Sequence, residues 1–134
     1  MIKLSEVIDA LDFTNDEIEY YYNPDDSKIF MSNIGEIETL NEDELDELFE
    51  KSIMLPTRYD INEYSMMEDF IETINDVKLY NQLCIAIKRP GAVRAFKDTC
   101  INFEIIEDWY KFREKKYKEI AINWCKENNI DYEE

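Results

Sequence analysis

Carboxylates in the first third of the chain could bind a hard cation. Asp25 and Asp26 lie together in a turn-like segment, and further acids surround Gly35. Calcium is bound by about six to eight oxygen atoms, which loops can supply, and no stretch here has the spacing of an EF-hand. We therefore predict a calcium site without an EF-hand or, as the alternative, a solvated acidic surface without a specific ion. The candidate ligands are Asp25, Asp26, Glu36, Glu38, Glu42 and Asp43.

A second group of side chains could bind an anion or a protein partner. Arg89 and Arg94 flank Gly91, where a helix is predicted to begin, and the N-terminus of a helix favours negative charge. Trp109 could add a ring for stacking, and Arg113 follows it in the sequence. The alternative is that these cations pair with acids of the same chain. The net charge of −17 argues against a nucleic-acid partner, because nucleic acids are polyanions.

The residue types that most enzymes use for catalysis are scarce. The sequence contains no histidine, which removes the commonest general base and a frequent metal ligand. Cys84, Cys100 and Cys125 are widely spaced in apolar surroundings, so buried free thiols are predicted rather than a metal or redox site. With 32 acids, some pair of carboxylates at glycosidase spacing arises by chance and carries no information. We therefore expect a binding protein and not an enzyme.

Charge and hydropathy limit the partners and the location. Residues 1–57 carry 16 acids and 3 bases, so this half has a net charge of −13. Such a field repels nucleic acids and anionic membranes, and it attracts cations and basic proteins. The N-terminus lacks the apolar stretch of a signal peptide, and no run is long enough to span a membrane. A cytoplasmic location is therefore expected.

The candidate ligands need a scaffold, and the N-terminal half predicts a small antiparallel sheet with two helices. Apolar spacing predicts a helix at residues 4–11, and the residue pattern predicts strands at 17–22 and 28–32. Turn-forming residues between these strands join them into a hairpin. An asparagine cap opens an acidic helix at residues 41–51, and a short edge strand is predicted at 53–56.

The C-terminal half predicts helices throughout. A capping box formed by Asp60 and Glu63 starts the first, and others are expected at residues 80–87, after Gly91 and at residues 105–128. The apolar spacing directs one face of each helix into the core. The side chains expected on these faces include Tyr64, Val93, Phe96, Phe103 and Tyr110.

These elements predict an α+β fold, with a small antiparallel sheet packed against a C-terminal helical bundle. A chain of 134 residues has the commonest size for one hydrophobic core, so a single domain is expected over residues 1–134. Its acidic, hairpin-containing half comprises residues 1–57, and its helical half comprises residues 58–130.

The C-terminal half also resembles a known family. The segments that carry the resemblance are YDINEY (59–64), MEDF (67–70), GAVRAFKD (91–98), EDWYKFR (107–113) and IAINWC (120–125). They are similar to blocks of a small bacterial family, uncharacterised protein family zero-one-five-eight, whose name implies no activity. The same blocks resemble those of an acidic cyanobacterial calcium-binding protein that lacks EF-hands. The second resemblance implies calcium binding, but its blocks lie outside the predicted ligands and assign no ligand residues.

Two hypotheses about function follow from these observations. The first is a non-catalytic acidic protein of the cytoplasm that binds calcium through surface carboxylates, as a buffer or a sensor. The second is a protein-interaction module whose acidic face docks a basic partner. The first predicts a preference for calcium over magnesium, whereas the second predicts association that weakens steeply with salt.

Overall fold

The secondary structure is mainly helical, with a few short strands. A computed structural model describes residues 1–32 and 40–134. The strands are β1 (Ile2–Lys3), β2 (Tyr20–Asn23), β3 (Lys28–Met31), β4 (Ile53–Met54) and β5 (Tyr132–Glu133). The helices are α1 (Leu4–Phe13), α2 (Glu42–Lys51), α3 (Arg58–Ile61), α4 (Glu63–Ile71), α5 (Val77–Ile87), α6 (Ala92–Asn102) and α7 (Ile106–Glu127). Among the described residues, no helix combines the length and the apolar character needed to cross a membrane.

The chain groups into two compact units. One, here called the acidic unit, consists of Met1–Ile61 and Tyr117–Glu134, and the other, the helical unit, consists of Asn62–Lys116. The acidic unit carries 22 acids and 6 bases, a net charge of −16, whereas the helical unit carries 10 acids and 9 bases, a net charge of −1. Residues 117–130, assigned to the helical half from the sequence, group with the N-terminal residues instead. The single domain stays a prediction.

The acidic unit contains the predicted hairpin. The strands β3, β2 and β4 form an antiparallel sheet in that order, with Tyr21 opposite Phe30. The hairpin turn is fixed by its own side chains, because the Asn23 carboxamide accepts a hydrogen bond from the Asp25 amide at 3.0 Å. A separate parallel pair joins β1 to β5, so the two ends of the chain meet. The α+β class predicted from the sequence is confirmed.

The core of the acidic unit is built from α1, the sheet and the end of α7. Leu4, Val7 and Leu11 are buried along one face of α1, as their spacing predicts. Tyr22 of β2 meets the ring of Trp124 edge to face, with 6.1 Å between centroids. The Trp124 indole also donates a hydrogen bond to the Met54 carbonyl at 3.0 Å. The C-terminal turns of α7 are therefore attached to the sheet by both apolar and polar contacts.

The helical unit has an aromatic core. Trp109 lies 4.8 Å from Phe96 and 5.5 Å from Phe70, centroid to centroid, both in edge-to-face geometry. Phe112 completes the cluster 5.3 Å from Phe70. Edge-to-face pairs of this kind add stabilisation beyond the burial of apolar area. The cluster brings together side chains of α4, α6 and α7.

One predicted helix start is wrong. Asp60 and Glu63 do not form a capping box with each other; instead, the Asp60 carboxylate accepts hydrogen bonds from the Thr57 amide and hydroxyl, both at 3.0 Å. A second helix then begins after Asn62, whose side chain accepts from the Ser65 amide at 3.2 Å. Asn62 has a φ of 50°, in the left-handed region that asparagine tolerates better than most residues. That residue divides the expected helix into α3 and α4.

Several side chains expected in the core lie at the surface. Tyr64, Val93, Phe103 and Tyr110 are all exposed, whereas Phe96 is buried as predicted. The Tyr64 hydroxyl donates a hydrogen bond to the Ile87 carbonyl at 3.1 Å, which holds the ring at the rim of the helical unit. Apolar spacing marks a helix face, but it cannot say how far the neighbouring helices cover that face.

Candidate functional site

The helix α2 presents a row of carboxylates to solvent. Asp43, Asp46, Glu47 and Glu50 are spaced at i, i+3, i+4 and i+7, so they share one face of the helix, and all four are exposed. This set of four is here called the acidic face. The opposite side of α2 carries Leu45, Leu48 and Phe49, which are partly buried. The helix therefore directs its apolar side towards the rest of the acidic unit and its charges towards solvent.

Capping hydrogen bonds and aromatic contacts help to hold α2 in place. The Asn41 carboxamide caps the helix, because its oxygen accepts from the Glu44 amide at 2.8 Å and its nitrogen donates to the Glu44 carboxylate at 3.0 Å. Phe49 packs against Tyr21 of the sheet, edge to face, with 5.0 Å between centroids, and lies 6.0 Å from Phe30. Local capping and one aromatic anchor thus position the acidic face.

The charges of the acidic face destabilise the helix α2. Asp43 and Glu47, and likewise Asp46 and Glu50, are like charges at i and i+4, which destabilise a helix by about 0.2–0.5 kcal/mol per pair. The acids of the first turn are favourably placed near the helix N-terminus, but the later ones gain nothing from the helix dipole. A cation bound along this face would remove the repulsion.

The four predicted calcium ligands that the structure describes lie in two separate places. The Lys51 ammonium contacts the Asp25 carboxylate at 2.6 Å, so the hairpin turn lies near the C-terminal end of α2. Glu42 and Asp43 lie at its N-terminal end, about 13 Å away along the helix axis. Calcium requires oxygens within about 2.3–2.6 Å of the ion, and no three of these four side chains lie close enough together to hold one.

Other predicted ligands lie elsewhere. Glu36 and Glu38 fall outside the described residues. Asp26, like Asp25, is exposed in the hairpin turn. Within residues 1–32 and 40–134, no three acidic or thiol side chains lie close enough together to hold a metal ion. The ligand set as a whole stays a prediction.

The predicted anion site is divided between core and surface. Trp109 is fully buried in the aromatic cluster, so its ring offers no face for stacking. The Arg113 guanidinium donates a hydrogen bond to the Glu63 carboxylate at 2.9 Å, and both side chains are mostly buried. Arg89 and Arg94 are exposed. Binding of an anion or a partner by these two arginines stays a prediction.

The free thiols are shielded to different degrees. Cys100 and Cys125 are buried, whereas Cys84 is partly exposed. Burial in apolar surroundings raises the pKa of the Cys100 thiol to about 12 and also raises the pKa of Cys125. A thiol needs its thiolate form to act as a nucleophile or a metal ligand, so these two are chemically quiet at neutral pH.

Sequence reasoning missed a groove in the helical unit. Its residues are Gly91, Ala92, Val93, Arg94, Lys97, Asp98, Ile101 and Tyr110. The groove was missed because Val93 and Tyr110, which line it, were expected in the core. The spacing of Arg94, Lys97 and Ile101 at i, i+3 and i+7 on one helix face was the signal that could have indicated it.

Comparison with known proteins gives a family and no activity. Residues 1–133 match the model of the Uncharacterised protein family (UPF0158). A curated relative, UPF0158 protein PA5073 of Pseudomonas aeruginosa, is 27% identical over 66 residues, which are 48% of this chain and 43% of that protein. The chain thus spans less than half of the length of that relative, and no solved structure matches it significantly. On the match over nearly its whole length, the chain belongs to the Uncharacterised protein family (UPF0158).

Proposed function

We propose that this protein is a non-catalytic binding protein whose acidic unit docks a basic segment of a partner protein. The observation that carries the proposal is the acidic face of α2, a row of four exposed carboxylates about 10 Å long. We place this activity in the cytoplasm, a reducing compartment in which free thiols such as Cys100 and Cys125 persist.

The shape of the acidic face suits a chain of cations better than a single ion. Four carboxylates spread over about 10 Å of helix cannot all reach one calcium ion, whose oxygen ligands lie within about 2.3–2.6 Å. Lysine and arginine side chains on a partner segment can instead pair with them one by one. The unit offers few internal competitors, because it contains 22 acids and only 6 bases.

A basic partner would also stabilise the helix that binds it. In the free protein the two carboxylates of each i,i+4 pair, Asp43–Glu47 and Asp46–Glu50, repel each other. Cations placed between them replace this repulsion by attraction, so binding and helix stability reinforce each other. The acidic charge further accelerates encounter with a basic surface at low ionic strength.

A calorimetric titration tests this proposal, in which an oligolysine peptide is added to the purified full chain. We expect saturable binding that weakens steeply as salt is raised, since surface charges are screened within about 8–10 Å at physiological ionic strength. Binding that does not change with salt would contradict an electrostatic docking surface.

Two variants with equal net charge identify the surface that binds. The first neutralises the acidic face with Asp43→Asn, Asp46→Asn, Glu47→Gln and Glu50→Gln. The second neutralises four exposed acids of the helical unit with Glu68→Gln, Glu104→Gln, Glu107→Gln and Glu114→Gln. We expect the first variant to bind the peptide about tenfold or more weakly, and the second to change by less than about twofold. Equal losses would mean that net charge alone attracts the peptide, and the proposed surface would be wrong.

Calcium binding at the start of α2 is the second candidate function. The observation that favours it is the exposure of Glu42 and Asp43 at this helix end, a few residues after Glu36 and Glu38 in the sequence. Carboxylates are the ligands that calcium prefers, and the resemblance to an acidic calcium-binding protein without EF-hands agrees with this ion. In this candidate, Asp25 and Asp26 do not share the site, because they lie near the other end of α2.

Calorimetric titration of chelator-treated protein with calcium, and with magnesium as control, tests the second candidate. We expect saturable binding of calcium that magnesium does not match, and a loss of that binding in the double variant Glu36→Gln, Glu38→Gln. The double variant Asp25→Asn, Asp26→Asn is the matched control and should bind calcium normally. Weak and equal heats for both ions would mean a diffuse layer of counterions and would eliminate this candidate.

A further inference from the structure

A groove runs along one face of α6 beside the beginning of α7. Its volume is about 590 Å³, and it is formed entirely by residues of the helical unit. One wall consists of Arg94, Lys97 and Ile101, which follow each other on the outer face of α6. Tyr110 of α7 forms part of the other wall. Binding sites for small molecules span about 300–1,000 Å³, so the groove has the size of such a site.

The floor and walls of the groove are largely apolar. Val93, Ile101 and Tyr110 are 36%, 55% and 47% exposed, so three large apolar side chains are open to solvent around one depression. Isolated exposed apolar residues are ordinary, but several around a concave surface indicate a binding surface. Water in contact with these side chains would be released by an apolar ligand.

The rim of the groove is cationic. Arg94 is exposed, Lys97 is partly exposed, and neither takes part in an ion pair with any residue that the structure describes. Asp98 also lies on the rim, which leaves one net positive charge at the groove. In a protein with a net charge of −17, a free positive rim beside apolar side chains is a local reversal of the general charge.

We propose that this groove binds a small amphipathic carboxylate, a ligand with one negative charge and an apolar chain. The carboxylate pairs with Arg94 and Lys97, and the chain lies along Val93, Ile101 and Tyr110. A single charge fits best, because the molecule as a whole repels polyanions at long range. At physiological salt this repulsion is screened beyond about 8–10 Å, and the ionic and apolar contacts within the groove then decide the affinity.

Decanoate is the probe for this proposal, since it joins one carboxylate to a flexible apolar chain. Decanol and decyltrimethylammonium keep the chain and change the charge of the head group. We titrate each into the isotope-labelled full chain below its micelle concentration and follow the amide signals by NMR. Decanoate should shift signals of residues 91–101 and of Tyr110 in a saturable manner. Decanol should bind about tenfold more weakly, and the cation should not bind there.

Substitutions with matched controls locate the site. Ile101→Glu places a negative charge in the groove and should weaken decanoate binding about tenfold or more. Ile85→Glu is its control, because Ile85 is equally exposed at 55% but does not line the groove. Arg94→Gln should weaken binding about two- to fivefold, as for an exposed ion pair, whereas Arg89→Gln should not change it. All four positions are exposed, so the variants should fold, which circular dichroism checks.

Three outcomes overturn the proposal. Equal binding of decanoate and decanol would show that the cationic rim selects nothing. Equal weakening by Ile101→Glu and Ile85→Glu would show that the ligand binds elsewhere. If the groove does not bind decanoate but binds a peptide with an aspartate between leucines, it is a surface for a protein partner and not a site for a small carboxylate. None of these results bears on the acidic face of α2, which is tested separately.

Discussion

The acidic unit and the helical unit differ in surface charge far more than in packing. Each contains fully buried apolar side chains, such as Val7 in the acidic unit and Phe96 in the helical unit. Their net charges are nevertheless −16 and −1. A helix needs only one apolar face for the core, so its solvent face is free to carry any charge. The charge of the acidic unit is therefore not required by its fold.

The ion pairs show how each unit balances its charges. In the helical unit, 9 bases face 10 acids, and the pair between Arg113 and Glu63 is mostly buried. In the acidic unit, 6 bases face 22 acids, and the pairs of Lys51 with Asp25 and of Lys118 with Glu134 are exposed. Most carboxylates of the acidic unit must therefore be balanced from solution, by ions or by a basic partner.

Thiol reactivity gives the largest expected effect and tests whether the two cores are equally tight. Cys100 lies in the helical unit and Cys125 in the acidic unit, and both are buried. Because the pKa of Cys100 rises from 9.0 to about 12, its thiolate is about a thousandfold rarer at neutral pH, and it should react correspondingly slowly with a thiol reagent. Cys84 should react first, and the variant Cys84→Ser should lose this fast phase. Rapid labelling of Cys125 would show that the acidic core opens more readily.

The same thiols make stability depend on pH at the alkaline end. The folded pKa of Cys100 lies above its unfolded value, so the folded state holds its proton more tightly. This contribution is complete below about pH 9 and is lost as the pH rises towards about 12. Urea unfolding at several pH values should show a decline over this range, which the variant Cys100→Ala reduces. A variant with an unchanged profile would contradict the assignment to Cys100.

The next largest effect is expected from the loss of an aromatic side chain, and its size should differ between the two units. Phe96→Ala empties a fully buried position in the aromatic core and should destabilise the protein by about 3–5 kcal/mol. Phe49→Ala removes only a partly buried anchor of α2, and about 1–2 kcal/mol is expected from the smaller area. Urea unfolding measures both. If Phe49→Ala destabilises the protein as much as Phe96→Ala, α2 is as much a part of the core of the acidic unit as Phe96 is of the aromatic core, and the contrast between core and acidic surface fails.

The sequence predicted those features whose signal lies in neighbouring residues. The cap at Asn41, the turn after Asn23 and the apolar face of α1 each depend on side chains within a few positions, and all three occur as expected. The pairing of β1 with β5 was missed, because it joins strands of two residues from opposite ends of the chain. No local pattern marks so short a strand.

The candidate sites depend on distances that the sequence does not contain. The exposure of Asp25 and Asp43 follows from their polarity, but their separation depends on which end of α2 meets the hairpin turn. Likewise, the groove exists because α7 leaves Ile101 and Tyr110 uncovered. Residue spacing gives the face on which a side chain lies, whereas helix packing decides what covers that face.

Removal of the helix cap tests the local support of the acidic face. Asn41→Ala deletes the hydrogen bond that the Glu44 amide donates to the side chain, and a loss of about 1 kcal/mol is expected. Hydrogen exchange should then accelerate in α2, while α5 in the helical unit stays protected. Asn41→Ser keeps a capping oxygen and should restore protection. Equal acceleration in both helices would mean that the units unfold together rather than locally.

The smallest expected effect comes from the ion pair between Lys51 and Asp25. The hydrogen bond to Asp25 raises the pKa of Lys51, but the pair lies in solvent and is screened by salt. Lys51→Gln should therefore shift the urea midpoint slightly at low salt and not measurably at high salt. Arg113→Gln breaks a mostly buried pair and should cost about 1.5–3 kcal/mol at either salt concentration. A loss for Lys51→Gln that persists at high salt would mean that this contact fixes α2 on the turn, as Arg113 fixes the helical unit.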